Sequence, residues 1–482
     1  MRIGFSRRQV VGVVALMAWS SSAADLLAAE GKPTTGTETL ASTWSDWPQW
    51  LGPARDGSSP EKGLLREWPA EGPKVLWKAP LGKGYGVPTV SGGQLFVLGN
   101  SDKPGSGKGL SYWCLDAFTG KQVWRYDYEW KKAERAAHPG WGWCTKGSVA
   151  VTDKHVYGID DLGVIHCLDR ATGAKVWSRD LDEEYQPSHY DWKGWCMTPL
   201  VMNDVLVLSL DQFYASTNAR LAGLDAKTGK TLWLRECHFK PNGSTMLGGG
   251  HYQTPALVNF GGEPCALFCS AVKKAGDAAS GGLVALRPTD GKVVWEYSEG
   301  LGNLCTIQTP FVQDDLVILL DLWQPIKGYQ LSHKSAPFAL KPLWTCNEVK
   351  SPYTATVLHE GHLYTFSLNG IVSPLELVCI DAGTGKVAWK EQRNEFTQCV
   401  SLALADGLLF VRGSNMLLLV EATPKGFVTT GQLDMGFKPA SMNPGWIMPA
   451  LAYGRLYVRC DADLWCLQVA KTLPSAEEAV RQ

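Results

Sequence analysis

Apolar and polar residues alternate along short runs of this chain, and the runs come in pairs. Gln94-Leu-Phe-Val-Leu98 has the two-residue period of a strand rather than the 3.6-residue period of a helix. Eight segments share one plan of apolar run, polar turn and second apolar run: 88–99, 147–160, 199–210, 255–270, 310–321, 355–367, 401–413 and 449–460. Turn residues punctuate several of them, as at Ser91-Gly-Gly93, Asp406-Gly407 and Tyr453-Gly454.

A second phrase follows most of these pairs. It reads Asp116-Ala-Phe-Thr119-Gly120 with Trp124, Asp169-Arg-Ala-Thr172-Gly173 with Trp177, and Asp225-Ala-Lys-Thr228-Gly229 with Trp233. It recurs as Arg287-Pro-Thr-Asp290-Gly291 with Trp295 and as Asp381-Ala-Gly-Thr384-Gly385 with Trp389. Each copy predicts a strand, a tight turn and an outer strand. Asp and Thr side chains bond turn N–H groups, and Gly supplies the positive φ. The Trp offers its area to the neighbouring unit, and its indole N–H needs an acceptor. The fifth unit has only a degenerate phrase at 338–344, and the seventh, at 417–430, lacks the turn residues.

No unit can bury its own apolar face, so the units must stack. The eighth lacks an outer strand after Leu464-Trp-Cys-Leu467. Near the start, Lys74-Val-Leu-Trp77-Lys-Ala-Pro80 is a Trp strand without a unit. Ring closure joins the two and removes an exposed edge. The predicted fold is all-β: an eight-bladed β-propeller of four-stranded antiparallel blades, closed by the N-terminal strand near Trp77.

At 482 residues, length alone suggests roughly three domains, but the repeat overrides that. Net charge is −1 without a basic stripe, which argues against a nucleic-acid partner. Ser6-Arg7-Arg8-Gln9, the apolar run 10–19 and small residues to Ala29 read as a twin-arginine signal peptide, with an ordinary secretory signal as the alternative. The apolar run is too short for a transmembrane anchor. Cleavage is expected between Ala23 and Ala29. The first cysteine is Cys114, so no lipidated N-terminal cysteine is expected. The expected organisation is signal peptide 1–29, N-terminal extension 30–73, propeller 74–470 and C-terminal tail 471–482, in a periplasmic or secreted protein.

Thirteen cysteines invite a disulfide reading. Four of them, Cys114, Cys167, Cys379 and Cys466, align at one site where other units carry Gly223, Ala285 and Ala339, which points to a small packing position. Cys265 and Cys269, four apart on one predicted strand, cannot bridge to each other.

The phrase Ala/Cys-x-Asp-x-x-Thr-Gly-x-x-x-Trp, clearest at 114–124, 167–177, 223–233 and 379–389, resembles the pyrroloquinoline-quinone (PQQ)-like propeller repeat. The run Asp46-Trp-Pro-Gln-Trp-Leu-Gly-Pro-Ala-Arg-Asp-Gly57 is similar to the lead-in of exported members. The resemblance implies one of two branches. Quinoprotein dehydrogenases hold PQQ and calcium on the axis and oxidise alcohols or sugars; propellers similar to BamB are non-catalytic. The dehydrogenase branch often carries a Cys-Cys disulfide, and this sequence has no adjacent cysteines and no Cys-x-x-Cys-His haem site. The calcium-binding Glu and Asn and the catalytic Asp of that branch match no local motif here. The expectation is therefore a non-catalytic binding or assembly scaffold with no cofactor assigned and a protein or polysaccharide partner. The alternative is a PQQ- and calcium-dependent alcohol or aldose dehydrogenase.

Inner-strand starts converge on a propeller axis. Two units open alike there: His138-Pro-Gly-Trp141-Gly-Trp143-Cys144 and His189-Tyr-Asp-Trp192-Lys-Gly-Trp195-Cys196. A third opens Gly248-Gly-Gly-His251-Tyr252. Three readings stand: packing around the axis, a Cys144–Cys196 disulfide, or a ligand site. Candidate ligand-binding residues are Trp141, Trp143, Trp192, Trp195, His251, Tyr252 and Trp446. No metal is assigned; His138, His189 and His251 with the two thiolates are the candidates for zinc or copper. Asp182-Glu-Glu184 reads as a solvated loop, and no nucleophile elbow, metalloprotease helix or phosphate loop occurs.

Overall fold

The computed structural model describes residues 44–480 except 101–108, 130–144, 186–194, 211–218, 238–244, 248–253, 274–279, 298–300, 302–308, 321–324, 351–355, 369–373, 398–399, 437–445 and 461. The chain is an eight-bladed propeller, as the repeat predicts. Blade 1 is typical: Thr89–Ser91 lies innermost, followed outward by Gln94–Asn100, Gly109–Asp116 and Gln122–Glu129. Blade 8 takes its inner three strands from Ala450–Ala452, Arg455–Cys460 and Asp463–Gln468, and its outermost from Val75–Pro80. Trp77 there faces Cys466, so the ring closes where the sequence places the closure.

The turn phrase works as its chemistry requires. Asp116 Oδ1 accepts hydrogen bonds from the Thr119 amide (2.7 Å) and hydroxyl (2.8 Å). The same pair of bonds recurs at Asp169/Thr172, Asp225/Thr228 and Asp381/Thr384. Gly173, at φ +72°, lies beneath the Trp124 indole of the preceding blade, where a Cβ would come within 2.5 Å of the ring. Five docking indoles donate their N–H to the carbonyl that follows the first turn residue of the next blade. The pairs are Trp124 to Arg170, Trp177 to Ala226, Trp233 to Pro288, Trp344 to Ala382 and Trp77 to Ala117.

The small packing position is explained by the same Trp. Cys114, Cys167, Cys379 and Cys466 are fully buried, each directly opposite a docking indole. Burial pushes the Cys114 and Cys167 thiols up to about 12, so they stay protonated. In blade 5 the position is filled by Gly328, opposite Trp344, and not by Ala339. There Pro325–Ser332 forms the third strand, and 338–344 contributes only to the outer one, Ala339–Lys350. The acidic run at 182–184 is also corrected. It lies in a short helix, Leu181–Tyr185, with Asp182 buried and Glu184 paired with Arg179. The C-terminal tail carries the helix Ala476–Val480, which buries Ala479.

A belt of hydroxyls ties the inner strands together where they start. Ser148 Oγ accepts from the Val87 amide (2.8 Å), Thr198 Oγ1 from the Ser148 amide (3.1 Å), and Thr254 Oγ1 from the Thr198 amide (3.1 Å). The Thr309 hydroxyl continues it by donating to the Thr254 carbonyl (2.6 Å). Blades 1 to 5 are thus linked around the axis by side chains rather than by strand pairing.

Candidate functional site

Each blade turns back between its first and second strands on one face of the ring, the turn face. The chain enters each inner strand from the other, the loop face. The residues that precede the ring enter the axial channel between them. Trp47 bridges Val90 of blade 1 through two backbone bonds of 2.8 Å. The chain then turns tightly through Leu51 (φ 63°), Gly52, Arg55 (φ 59°) and Gly57, held by Gly52 N–H to Gln49 O, Arg55 N–H to Gly52 O and Gly57 N–H to Leu51 O. It returns as Ser58–Ser59, which pairs in parallel with Leu404–Ala405 of blade 7. The segment is a finger with both ends at the turn face and its tip in the channel.

The finger touches many blades. At the tip, the Arg55 guanidinium donates to Gln49 Oε1 (2.7 Å) and to the Pro255 carbonyl of blade 4 (3.0 Å). Pro255 immediately precedes the inner strand Ala256–Phe260, so the tip reaches the loop-face end of the channel. A Cβ at Gly57 would sit 2.8 Å from Val357 of blade 6 and 3.9 Å from Met448 beside blade 8. At the base, Asp46 accepts from the Ser91 hydroxyl (2.9 Å) and from Tyr453. Glu61 accepts from the amides of Ser45 (2.9 Å), Gly454 (2.8 Å) and Tyr453. Trp47 and Glu61 are completely buried and Arg55 nearly so. Burial lowers the Arg55 pKa to about 10, leaving it a cation at neutral pH, and raises that of Glu61 to about 7.

On the loop side a second polar group lies in blade 2. Asp160 is fully buried; Oδ1 accepts from the Leu162 and Val164 amides (2.9 Å each) and Oδ2 from the Tyr128 hydroxyl (3.1 Å). Asp161 pairs with Lys146 at 3.2 Å. Burial, and then the Asp161 charge, push Asp160 up to about 8. His166 stands 4.3 Å from the Tyr128 ring, and burial pushes its pKa down to about 3, so it is neutral.

These shifts set a pH dependence. A carboxyl raised on folding stabilises most when protonated, and that stability is lost as pH rises from the unfolded value through the folded one. His166, lowered on folding, acts in the opposite sense, but only below its ordinary value of 6.5. Between pH 6.5 and 7.5 the wild-type protein should therefore lose stability as pH rises, through Asp160 and Glu61. In urea titrations across this window, Asp160→Asn should flatten the slope by up to about 1.4 kcal/mol per pH unit. An unchanged slope would show that Asp160 is not the titrating group.

The family model described as outer membrane protein assembly factor BamB matches residues 58–139 and 113–317. This chain belongs to the PQQ-like propeller family. Among solved structures it is similar to the quinohemoprotein alcohol dehydrogenase of Comamonas testosteroni (TM-score 0.64, 15% identity, covering 89% of this chain and 82% of that one). A europium-containing methanol dehydrogenase is similar to the same degree (TM-score 0.64, 15% identity, 86% and 89%). BamB from Moraxella catarrhalis has a TM-score of 0.53 at 13% identity, covering 83% of this chain and 99% of that one. At these identities the likeness is one of fold. No curated protein sequence matches the chain.

The candidate residues of this PQQ-like propeller divide unevenly. His138, Trp141, Trp143, Cys144, His189, Trp192, His251 and Tyr252 lie outside the described residues. Trp195 is buried in the blade 2–3 core, its amide donating to the Asp161 carbonyl (3.0 Å) and its ring lying against Gly163. Cys196, beside it, is half-buried. Trp446 packs on Tyr85 at 5.9 Å, next to the channel. Asp46–Gly57, similar in sequence to a lead-in, forms the finger. Its signals were the Pro and Gly turn residues at 48, 52, 53 and 57, interleaved with Asp46, Arg55 and Asp56.

Two described carboxylates on the loop side lie together, and Asp161 Oδ1 is buried without a hydrogen-bond partner among the described residues. Asp160 has both oxygens engaged by amides and a phenol, and Asp161 faces an ammonium. Among the described residues no cluster of three or more His, Cys, Asp or Glu side chains is placed to hold a metal. No described helix is long and apolar enough to cross a membrane.

Proposed function

We propose that this propeller is a binding or assembly scaffold with a protein partner and no chemistry of its own, working outside the cytoplasm as a periplasmic or secreted protein. The finger carries this reading. An axial cofactor or substrate needs room on the axis, and here the N-terminal segment enters the axis from the turn face and reaches the Pro255 carbonyl of blade 4. Recognition then falls to other surfaces, and in sequence the segments that precede several inner strands are rich in Trp. Flat aromatic faces suit protein side chains and dominate many interfaces. The family match supports the same reading, since BamB is an outer membrane protein assembly factor and 99% of the Moraxella chain is covered.

The competing reading is a PQQ- and calcium-dependent dehydrogenase, and a direct assay separates the two. Purified protein is incubated with PQQ and calcium, desalted, and offered a panel of alcohols and aldoses with a redox dye. The scaffold reading predicts no retained quinone and no substrate-dependent dye reduction. Retained quinone with substrate-dependent reduction would replace it.

A further inference from the structure

The repeat provides its own control for what the space between two blades needs. Two residues before the position that faces the docking residue, seven blades carry Ile or Leu, as at Ile165, Leu221, Leu377 and Leu464. Blade 1 carries Tyr112 there. Blade 2 departs from the repeat as well. Gly158 pairs with His166, where Val97 pairs with Trp113, Leu208 with Ala222 and Phe268 with Val284.

These departures meet in the seam between blades 1 and 2, away from the axis. The Tyr112 hydroxyl occupies the room left by glycine: a Cβ at Gly158 would lie 2.7 Å from its oxygen. The His166 ring stands 5.7 Å from that of Tyr112 and 4.3 Å from that of Tyr128. The Tyr128 hydroxyl reaches Asp160 Oδ2 at 3.1 Å. Tyr112, Asp160 and His166 are all buried. The Tyr112 hydroxyl and His166 Nδ1 have no hydrogen-bond partner among the described residues. Leaving such atoms unpaired is costly, and two in one seam point to a ligand.

The donors select its chemistry. Two phenolates and a carboxylate carry three negative charges, and imidazole adds a neutral nitrogen. A buried seam accepts those charges only if a cation offsets them, and a trivalent one does so in full. Phenolate and carboxylate are hard oxygen donors, and imidazole suits iron. The 3.1 Å between Tyr128 Oη and Asp160 Oδ2 matches one edge of an octahedral shell, about 3 Å for bonds of about 2.1 Å. Without a cation the four groups stay uncharged near pH 7. Burial pushes both phenols well above their ordinary value, Asp160 up to about 8 and His166 down to about 3.

We infer that Tyr112 and Tyr128 of blade 1 and Asp160 and His166 of blade 2 form a ferric-iron site that staples the two blades. Binding breaks two phenolic O–H bonds and the carboxyl O–H bond and forms four bonds to iron. The three protons leave to solvent, and nothing is oxidised or reduced. The Leu162 and Val164 amides keep their bonds to Asp160 Oδ1 and hold the carboxylate in place. The site does not rest on the scaffold reading.

The test uses the full chain, stripped of metal by a chelator and titrated with ferric nitrilotriacetate. It should retain about one iron per chain through desalting, develop a visible phenolate-to-iron charge-transfer band and unfold at a higher urea concentration. Tyr112→Phe and Tyr128→Phe each remove one donor oxygen and keep the ring. Each should weaken iron binding on the order of 100-fold or more, beyond the loss typical of an outer-shell partner, and diminish the band. Without iron, Tyr112→Phe should be at least as stable as wild type, because an unpartnered hydroxyl is gone. That separates a ligand from a structural residue. Tyr126→Phe, whose ring stacks on Tyr128 but supplies no donor, should bind iron as wild type does. Iron lost on desalting, retained iron without the band, or a band indifferent to both Tyr112 and Tyr128 would overturn the site. Tighter binding of zinc than of ferric iron would overturn its assignment to a trivalent ion.

Discussion

Arg459→Met is expected to destabilise the folded ring by about 3–5 kcal/mol. Arg459 is fully buried at the seam between blades 8 and 1. Its guanidinium donates to the carbonyls of Gly82 (2.6 Å), Leu98 (2.8 Å) and Gly86 (3.3 Å), all on the blade 1 side. Glycine makes room for it: a Cβ at Gly84 or Gly99 would lie within 2.6 Å of the guanidinium. Methionine fills similar volume but donates nothing, so three buried carbonyls lose a partner at once. Urea unfolding should show a lower midpoint with an unchanged slope. Arg459→Lys should recover only a minor part, because an ammonium cannot reproduce the planar fork. A loss below about 1 kcal/mol would show that these bonds contribute little to the seam.

Trp77→Ala is the second large effect, expected at about 3 kcal/mol, toward the low end for Trp truncation because this indole is only partly buried. Trp77 lies on Gly120 of blade 1, packs 6.0 Å from Tyr457 and donates to the Ala117 carbonyl. It sits on the one outer strand that is far in sequence from the rest of its blade. The consequence should therefore be local as well as global. Hydrogen exchange should quicken along Asp463–Gln468 and along the Gly109–Asp116 strand of blade 1 before the other blades respond. Trp177→Ala, inside a continuous blade, should lower stability without opening this seam. Equal exchange patterns in the two variants would contradict closure by the N-terminal strand.

The blades were legible because their chemistry is local. Asp, Thr, Gly and Trp at fixed offsets specify a turn and a docking indole within a dozen residues, and Trp77 without a unit exposes the closure. Blade 5 was misread at one position because its third strand, Pro325–Ser332, carries neither Asp nor Thr-Gly. Its small residue, Gly328, is recognisable only from the strand pairing that sets it opposite Trp344. The finger was beyond reach for a related reason. Its partners, Val90, Pro255, Leu404 and Tyr453, are spread over four blades and some 360 residues, and no local pattern announces contacts of that range. Asp160 and His166 look like ordinary strand-end and strand residues. Burial between blades 1 and 2, with neighbouring charges, shifts their titration.

That the protein's own N-terminal segment enters the axis is open to a direct trap. Ser59 and Ala405 are register partners across the finger and blade 7, a spacing that a disulfide can span. The account predicts that the Ser59→Cys/Ala405→Cys protein, mildly oxidised in its folded state, yields this one new bridge in nearly every molecule on peptide mapping by mass spectrometry. Absence of the bridge in a protein that keeps its folded stability would place the segment outside the channel and contradict the account.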